Sequence, residues 1–136
     1  MGLAERRVVK AFQENEYNTF LEELKKVVGK EVTVNVAWDS LAIDGMSHLY
    51  EKAWPKVYFQ PLLQALESIC ADDMGKEAIA ESLEKLHIKN EAGVSYAAKW
   101  ASFENKELTL DHKPTTNIDQ IDDRAKALQT LLENNL

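Results

Sequence analysis

The segment Glu31–Trp38 constrains the fold more strongly than any other part of the chain. Its apolar residues occupy every second position and are separated by Thr33, Asn35 and Ala37, an alternation typical of a half-buried β-strand. A second region, Lys99–Asp111, contains aromatic residues, turns at Glu104-Asn105-Lys106 and returns as Leu108-Thr109-Leu110. Most of the remaining sequence has apolar residues at helical spacing. We therefore predict an α+β domain that spans residues 1–136.

The order of the predicted elements suggests how the sheet is built. Residues 3–28 form a helical region with a joint near Asn15 to Asn18, and the strand at 31–38 is followed by two or three helices. Short strands then follow near residues 87–89, 94–100 and 107–112, and Asn117 is expected to cap the final helix. Short turns join these three strands, which favours an antiparallel meander. We expect one mostly antiparallel sheet of about four strands with helices packed on one face.

The charge distribution limits the classes of partner. The formal net charge is −7, whereas residues 1–30 alone carry six basic and five acidic side chains. Nucleic-acid binding is not expected, because phosphate contacts need a clustered basic face. No stretch approaches the roughly 18 consecutive apolar residues of a membrane span, and the first residues lack the apolar region of a signal peptide. We expect a cytoplasmic protein that binds neither nucleic acid nor membrane.

No sequence motif indicates a cofactor or metal. Cys70 is the only cysteine, which excludes a thiolate cluster, and it is best interpreted as a small buried residue. The three histidines are scattered without the H-x-x-x-H spacing of a helical metal site. The chain also lacks a G-x-S-x-G elbow, a phosphate-binding glycine loop and a G-x-G-x-x-G fingerprint. We predict no cofactor and no metal.

Carboxylate pairs are the remaining candidates for catalysis. Asp39 and Asp44 flank one loop, and Asp72 and Asp73 are adjacent. Two carboxylates with different pKa values can perform acid–base chemistry. However, helix capping accounts for Asp44 and for the Asp72-Asp73 pair without any catalysis. No catalytic residue is therefore assigned, and an enzyme is less expected than a binding protein.

Aromatic residues concentrate between Trp54 and Pro61, where a core-filling joint is the favoured interpretation. Such a segment can instead line a cleft or anchor a partner, since aromatic side chains dominate binding hot spots. In that case it would contribute to a mixed apolar and polar pocket facing the sheet. The candidate binding residues for this pocket are Trp54, Tyr58, Phe59, His48, Asp39 and His112.

Two functional hypotheses follow. The first is an acidic domain that acts by binding, either to a protein partner through electrostatically steered association or to itself. Self-association, for example as a homodimer, would use the edge of the sheet or the apolar face of the final helix. The alternative is a small-molecule-binding protein or modest enzyme with its pocket between the sheet and the Trp54–Pro61 segment.

Overall fold

The computed structural model describes all residues 1–136 and contains seven α-helices and four β-strands. The joint predicted near Asn15 to Asn18 is confirmed and lies at Asn15, because the first helix ends at Glu14 and the second begins at Glu16. Short 3₁₀ turns lie at Ser47–Leu49 and Ala97–Lys99, and a π-helical turn covers Pro55–Phe59. In chain order the elements are α1 (Leu3–Glu14), α2 (Glu16–Val28), β1 (Thr33–Val36), α3 (Trp38–Leu41), α4 (Tyr50–Trp54), α5 (Gln60–Ile69), α6 (Asp73–Ser82), β2 (Lys85–Lys89), β3 (Ala101–Glu104), β4 (Glu107–Asp111) and α7 (Ile121–Glu133).

The sheet has four strands, as expected, but its strand directions differ from the prediction. The order is β1-β2-β4-β3, with parallel β1–β2 and β2–β4 pairs and an antiparallel β3–β4 pair. The expectation of a mostly antiparallel sheet is therefore wrong. A helical crossover joins β1 to β2, as parallel neighbours require. After β2 the chain passes to the far edge to form β3, and a hairpin then inserts β4 between β2 and β3.

The strand predicted near residues 94–100 is also wrong. This segment is an irregular connection that ends in a 3₁₀ turn, and its backbone bonds go to scattered partners. The Lys113 N–H donates to the Val94 carbonyl at 2.7 Å, and Asn117 donates from its side-chain amide to the Ser95 carbonyl. Asn117 consequently does not cap α7, which begins at Ile121 and follows Gln120.

The two faces of the sheet differ sharply in polarity. Helices cover one face, on which the strand register aligns Val34, Leu86, Leu108 and Phe103 in one row and Val36, Ile88, Leu110 and Ala101 in the next. The opposite face carries polar side chains in two rows, which are Thr33, Lys85, Glu107 and Glu104, then Asn35, His87, Thr109 and Ser102. This is the period-two alternation of a sheet with helices on one side.

A single cluster of 25 buried apolar residues connects the helices to the covered face of the sheet. Local sequence signals fix where several helices begin and end. Gly29 ends α2 in the left-handed conformation, with φ of 82°. Asp72 caps α6 by accepting a 2.7 Å hydrogen bond from the Gly75 N–H, which confirms its predicted capping role. No helix combines the length and the apolar composition needed to cross a membrane.

Candidate functional site

Four of the six candidate binding residues lie in the protein interior. Trp54, Tyr58, Phe59 and His112 are all buried. Trp54 stacks on Tyr50 with ring centroids 4.7 Å apart and meets Phe12 edge-on at 5.2 Å. The Tyr58 hydroxyl donates to the carbonyl of His112, so the aromatic segment is tied directly to the end of the sheet. These residues form a packed joint.

The other two candidates, His48 and Asp39, are exposed, and His48 borders a surface depression of about 290 Å³ between α1 and the Ser47–Leu49 turn. Three of its lining residues are apolar, and the others include two carboxylates, an amide and His48. The lining residues are Val8, Ala11, Phe12, Asn15, Glu16, Ser47, His48 and Glu51. No group of three histidine, cysteine or carboxylate residues is arranged to hold a metal ion. The small-molecule hypothesis stays a prediction, and this depression is where it has to be tested.

The sequence analysis missed a buried arginine, Arg124 of α7. Its guanidinium donates to the carbonyls of Val57 and Lys56 at 3.1 Å, of Asn117 at 2.7 Å and of Ile118 at 2.8 Å. Burial lowers the pKa of Arg124, and the nearby Tyr58 opposes this shift. The available signal was its place on the apolar stripe of the final helix, between Ile121 and Leu128. All of its partners are backbone carbonyls. Two of them, those of Val57 and Lys56, belong to the aromatic segment, so Arg124 connects α7 to that segment.

Backbone hydrogen-bonding groups without partners lie along β1, at the edge of the sheet. The Thr33 N–H donates to the Glu84 carbonyl at 3.1 Å, and the Ala37 N–H donates to the Ile88 carbonyl at 2.9 Å. In a parallel pair, alternate residues direct their N–H and C=O groups to the neighbouring strand. The groups of Val34 and Val36 therefore point away from β2. No backbone group outside the sheet and no side chain bonds to them.

Little covers this edge. β2 is the only element that packs extensively along β1, whereas α7 packs along β3 at the opposite edge. Val32, Val34 and Val36 are only half-buried, although their side chains face the helices. A groove of about 170 Å³ lies where β1 begins, between Leu21 and Leu24 of α2 and Val32. Lys25 and Glu31 form a 3.2 Å ion pair at its rim.

Natural sheet edges usually carry a device that prevents pairing with another chain, such as a lysine, a proline or a bulge. β1 has none of these. Between Val32 and Ala37 the sequence contains no charge and no proline, and its pairing with β2 is continuous. We name this surface, comprising Val32–Val36 with Leu21 and Leu24, the β1 edge.

The polar face of the sheet continues from the β1 edge. Asn35 is in register with His87 on β2 and Thr109 on β4. His87 Nε2 lies 2.7 Å from Glu107 Oε1, and this hydrogen bond lowers the pKa of the half-exposed Glu107 carboxyl. This face is hydrophilic, so it can flank an interface at the β1 edge.

Comparison with known proteins identifies no relative of this chain: no protein-family model, curated protein or solved structure matches it.

Proposed function

We propose that this protein acts by binding, and that the β1 edge receives an extended strand from a protein partner or from a second copy of the chain. The observation that carries this proposal is the pair of residues Val34 and Val36, whose backbone groups face outward and have no partner. Addition of a strand to a free sheet edge is a recurrent mode of protein recognition. In that mode backbone hydrogen bonds supply affinity and side-chain pockets supply specificity.

The side chains at the β1 edge suit an incoming strand. The half-exposed surfaces of Val34 and Val36 would be covered by alternate apolar residues of the added strand. The groove beside Leu21 and Leu24 can accept one further apolar side chain. Each backbone hydrogen bond contributes about 1 kcal/mol net, so a few such bonds plus apolar contact support moderate affinity.

The overall charge would act at longer range than the edge itself. The β1 edge is neutral between Val32 and Val36, while the whole chain carries −7. This charge would attract a basic partner, which would then form hydrogen bonds with the backbone of β1. Binding of such a partner weakens as salt screens the attraction.

Amide exchange measured by NMR tests the proposal at the level of single residues. In the ¹⁵N-labelled protein, the outward N–H groups of Val34 and Val36 should exchange rapidly when the protein is dilute. The N–H groups of Thr33 and Ala37 are already bonded to β2 and serve as internal controls. Addition of an unlabelled extract of the cells that make the protein, or raising the protein concentration, should shift and protect the Val34 and Val36 amides selectively.

The matched variant is Val34→Pro, which removes the outward donor and leaves the β1–β2 bonds in place. Proline is tolerated on an edge strand when its missing N–H faces solvent. We expect this variant to keep the remaining amide spectrum and to lose the response at Val36. Unchanged Val34 and Val36 amides, both in extract and at millimolar protein concentration, would overturn the proposed function.

A further inference from the structure

We infer that the occupant of the β1 edge is β1 of a second copy, paired antiparallel about a two-fold axis at Val34. This inference rests on the proposed function, because it identifies which strand is added at the same edge. It also fixes the register, so each cross-strand pair can be tested separately.

The sequence of β1 is self-complementary about Val34. Reading outward from Val34, the chain has Thr33 and Val32 on one side and Asn35 and Val36 on the other. Antiparallel pairing about this residue sets Val34 opposite Val34, Val32 opposite Val36 and Thr33 opposite Asn35. All apolar residues then share the covered face, and both polar residues share the open face, as the alternation of exposure requires.

The backbone bonding pattern selects the same centre. Val32, Val34 and Val36 carry the outward N–H and C=O groups, since Thr33 and Ala37 bond inward to β2. In an antiparallel pair, two residues with outward groups face each other and exchange both N–H···O=C bonds. Every outward group from Val32 to Val36 is then paired. The two sheets merge into one continuous sheet.

A neighbouring symmetric register is less favourable. Pairing centred on Asn35 places Val32 opposite Trp38 of the second copy, and Trp38 lies in α3. The outward groups of Val32 would then have no strand residue to pair with. Pairing centred on Val34 instead places Val32 opposite Val36. Its cross-strand Val–Val and Thr–Asn pairs each contribute roughly 0.2–1 kcal/mol.

Salt dependence separates a second copy from a basic partner. Two chains that each carry −7 repel each other, so screening by added salt should strengthen self-association. Association with a basic partner should weaken under the same change. Sedimentation equilibrium of the intact protein from 1 µM to 1 mM, with a reductant present to keep Cys70 reduced, should show a monomer–dimer equilibrium that tightens with salt.

Paired substitutions on the open face test the register. Both Thr33 and Asn35 are exposed, so replacing them should leave the fold intact. The double variant Thr33→Lys, Asn35→Lys places two ammonium groups opposite each other at both symmetric pairs. We expect its dimer dissociation constant to rise at least tenfold, even though the net charge per chain becomes less negative.

The matched control is Thr33→Glu, Asn35→Lys, which keeps the net charge and sets a carboxylate opposite an ammonium group. Its dissociation constant should be within about threefold of the starting protein or lower, and Val34→Pro should be monomeric. A monomer at 1 mM, or dimers insensitive to all three variants, would overturn the inference. If the purified protein is monomeric but its Val34 and Val36 amides respond to cell extract, the second copy is excluded and strand addition stands. If neither responds, both proposals fail.

Discussion

Arg124 Nε of α7 lies 3.1 Å from the carbonyl oxygen of Val57, in the π-helical turn that precedes α5. Val57 is four residues before Pro61, and Lys56 is five residues before it. An N–H at position 61 would bond to one of these two carbonyls in an α- or π-helical geometry, but proline has no N–H. Arg124 donates to both carbonyls and thereby replaces the missing donor.

Arg124→Met is therefore expected to lower the free energy of unfolding by about 3 kcal/mol or more. The substitution retains an unbranched apolar stem but leaves buried carbonyls without donors, and each unsatisfied group costs about 1–3 kcal/mol. Urea denaturation followed by circular dichroism measures the change. A loss below about 1 kcal/mol would contradict this interpretation of Arg124.

Pro61→Ala supplies the matched test, because it restores a backbone N–H where Arg124 acts. Introduced alone, it should change stability little, since Arg124 already satisfies the carbonyls. In the Arg124→Met background it should recover about 1 kcal/mol, the net value of one hydrogen bond. The double-mutant cycle isolates this coupling, and strictly additive effects would show that Pro61 and Arg124 do not act on the same groups.

Gly75→Ala should be among the most damaging small substitutions in this protein. A Cβ at position 75 would lie 1.7 Å from the carbonyl oxygen of Ile69, which is backbone and cannot rotate away. The start of α6 would have to move from the end of α5, and the Asp72 cap would be strained. We expect a loss of about 3 kcal/mol or more, at the upper end for overpacking, measured by urea denaturation.

Gly45→Ala is the matched control, because a Cβ there meets nothing within 4 Å while φ is +86°. It should cost only the strain of a left-handed residue, about 1–2 kcal/mol. A loss at Gly75 no larger than that at Gly45 would mean that a small backbone shift relieves the contact with Ile69.

Sequence periodicity predicted those elements whose signals are local. The valine alternation located β1, the Glu104-Asn105-Lys106 turn located the hairpin, and Gly29 ends α2 as expected. Strand order was not predictable in the same way, because it depends on contacts between distant segments. Val94, Tyr96 and Trp100 alternate like a strand, yet Trp100 follows a 3₁₀ turn, and its buried indole N–H donates to the Arg124 carbonyl.

The same distinction applies to the candidate site. A half-buried alternation identifies Val32–Val36 as a strand, but edge position follows only from the order β1-β2-β4-β3. The outward direction of the Val34 backbone groups follows from the parallel pairing of β1 with β2. The sequence instead predicted a mostly antiparallel sheet. The role of Arg124 was equally hard to predict from the sequence, since its partner Val57 is 67 residues away. Position on an apolar stripe does not reveal such a partner.

Lys106→Gly should stabilise the hairpin between β3 and β4. Asn105 and Lys106 both have positive φ, 54° and 66°, as in two-residue loops that favour Asn-Gly. Glycine relieves the left-handed strain at position 106 but increases the conformational entropy of the unfolded chain. The net gain in the free energy of unfolding should be about 0.5–1 kcal/mol. The exposed Lys106–Glu84 contact, at 3.6 Å, contributes little. Lys106→Ala removes the same charge without relieving strain, so it should give no gain in thermal denaturation.

Mild acid should destabilise the protein through His112. This imidazole is fully buried, and its Nδ1 lies 2.6 Å from the Lys113 carbonyl, which indicates that Nδ1 carries the proton. Its Nε2 has no hydrogen-bond partner. Burial lowers the pKa of His112, and nearby Arg124 lowers it further, while the backbone of Lys113, the nearby backbone of Ser95 and the Asp111 carboxylate raise it.

The sign of the effect follows from this shift. Because the folded-state pKa lies below the unfolded value of about 6.5, the unfolded chain binds the proton first as the pH falls. Stability is then complete above about pH 7 and decreases below it, with a slope of at most about 1.4 kcal/mol per pH unit for one proton. Urea denaturation between pH 7.5 and pH 5 measures the slope. His112→Asn, whose amide can still donate to the Lys113 carbonyl, should flatten it, whereas an equally steep decline in that variant would assign the pH dependence to other groups.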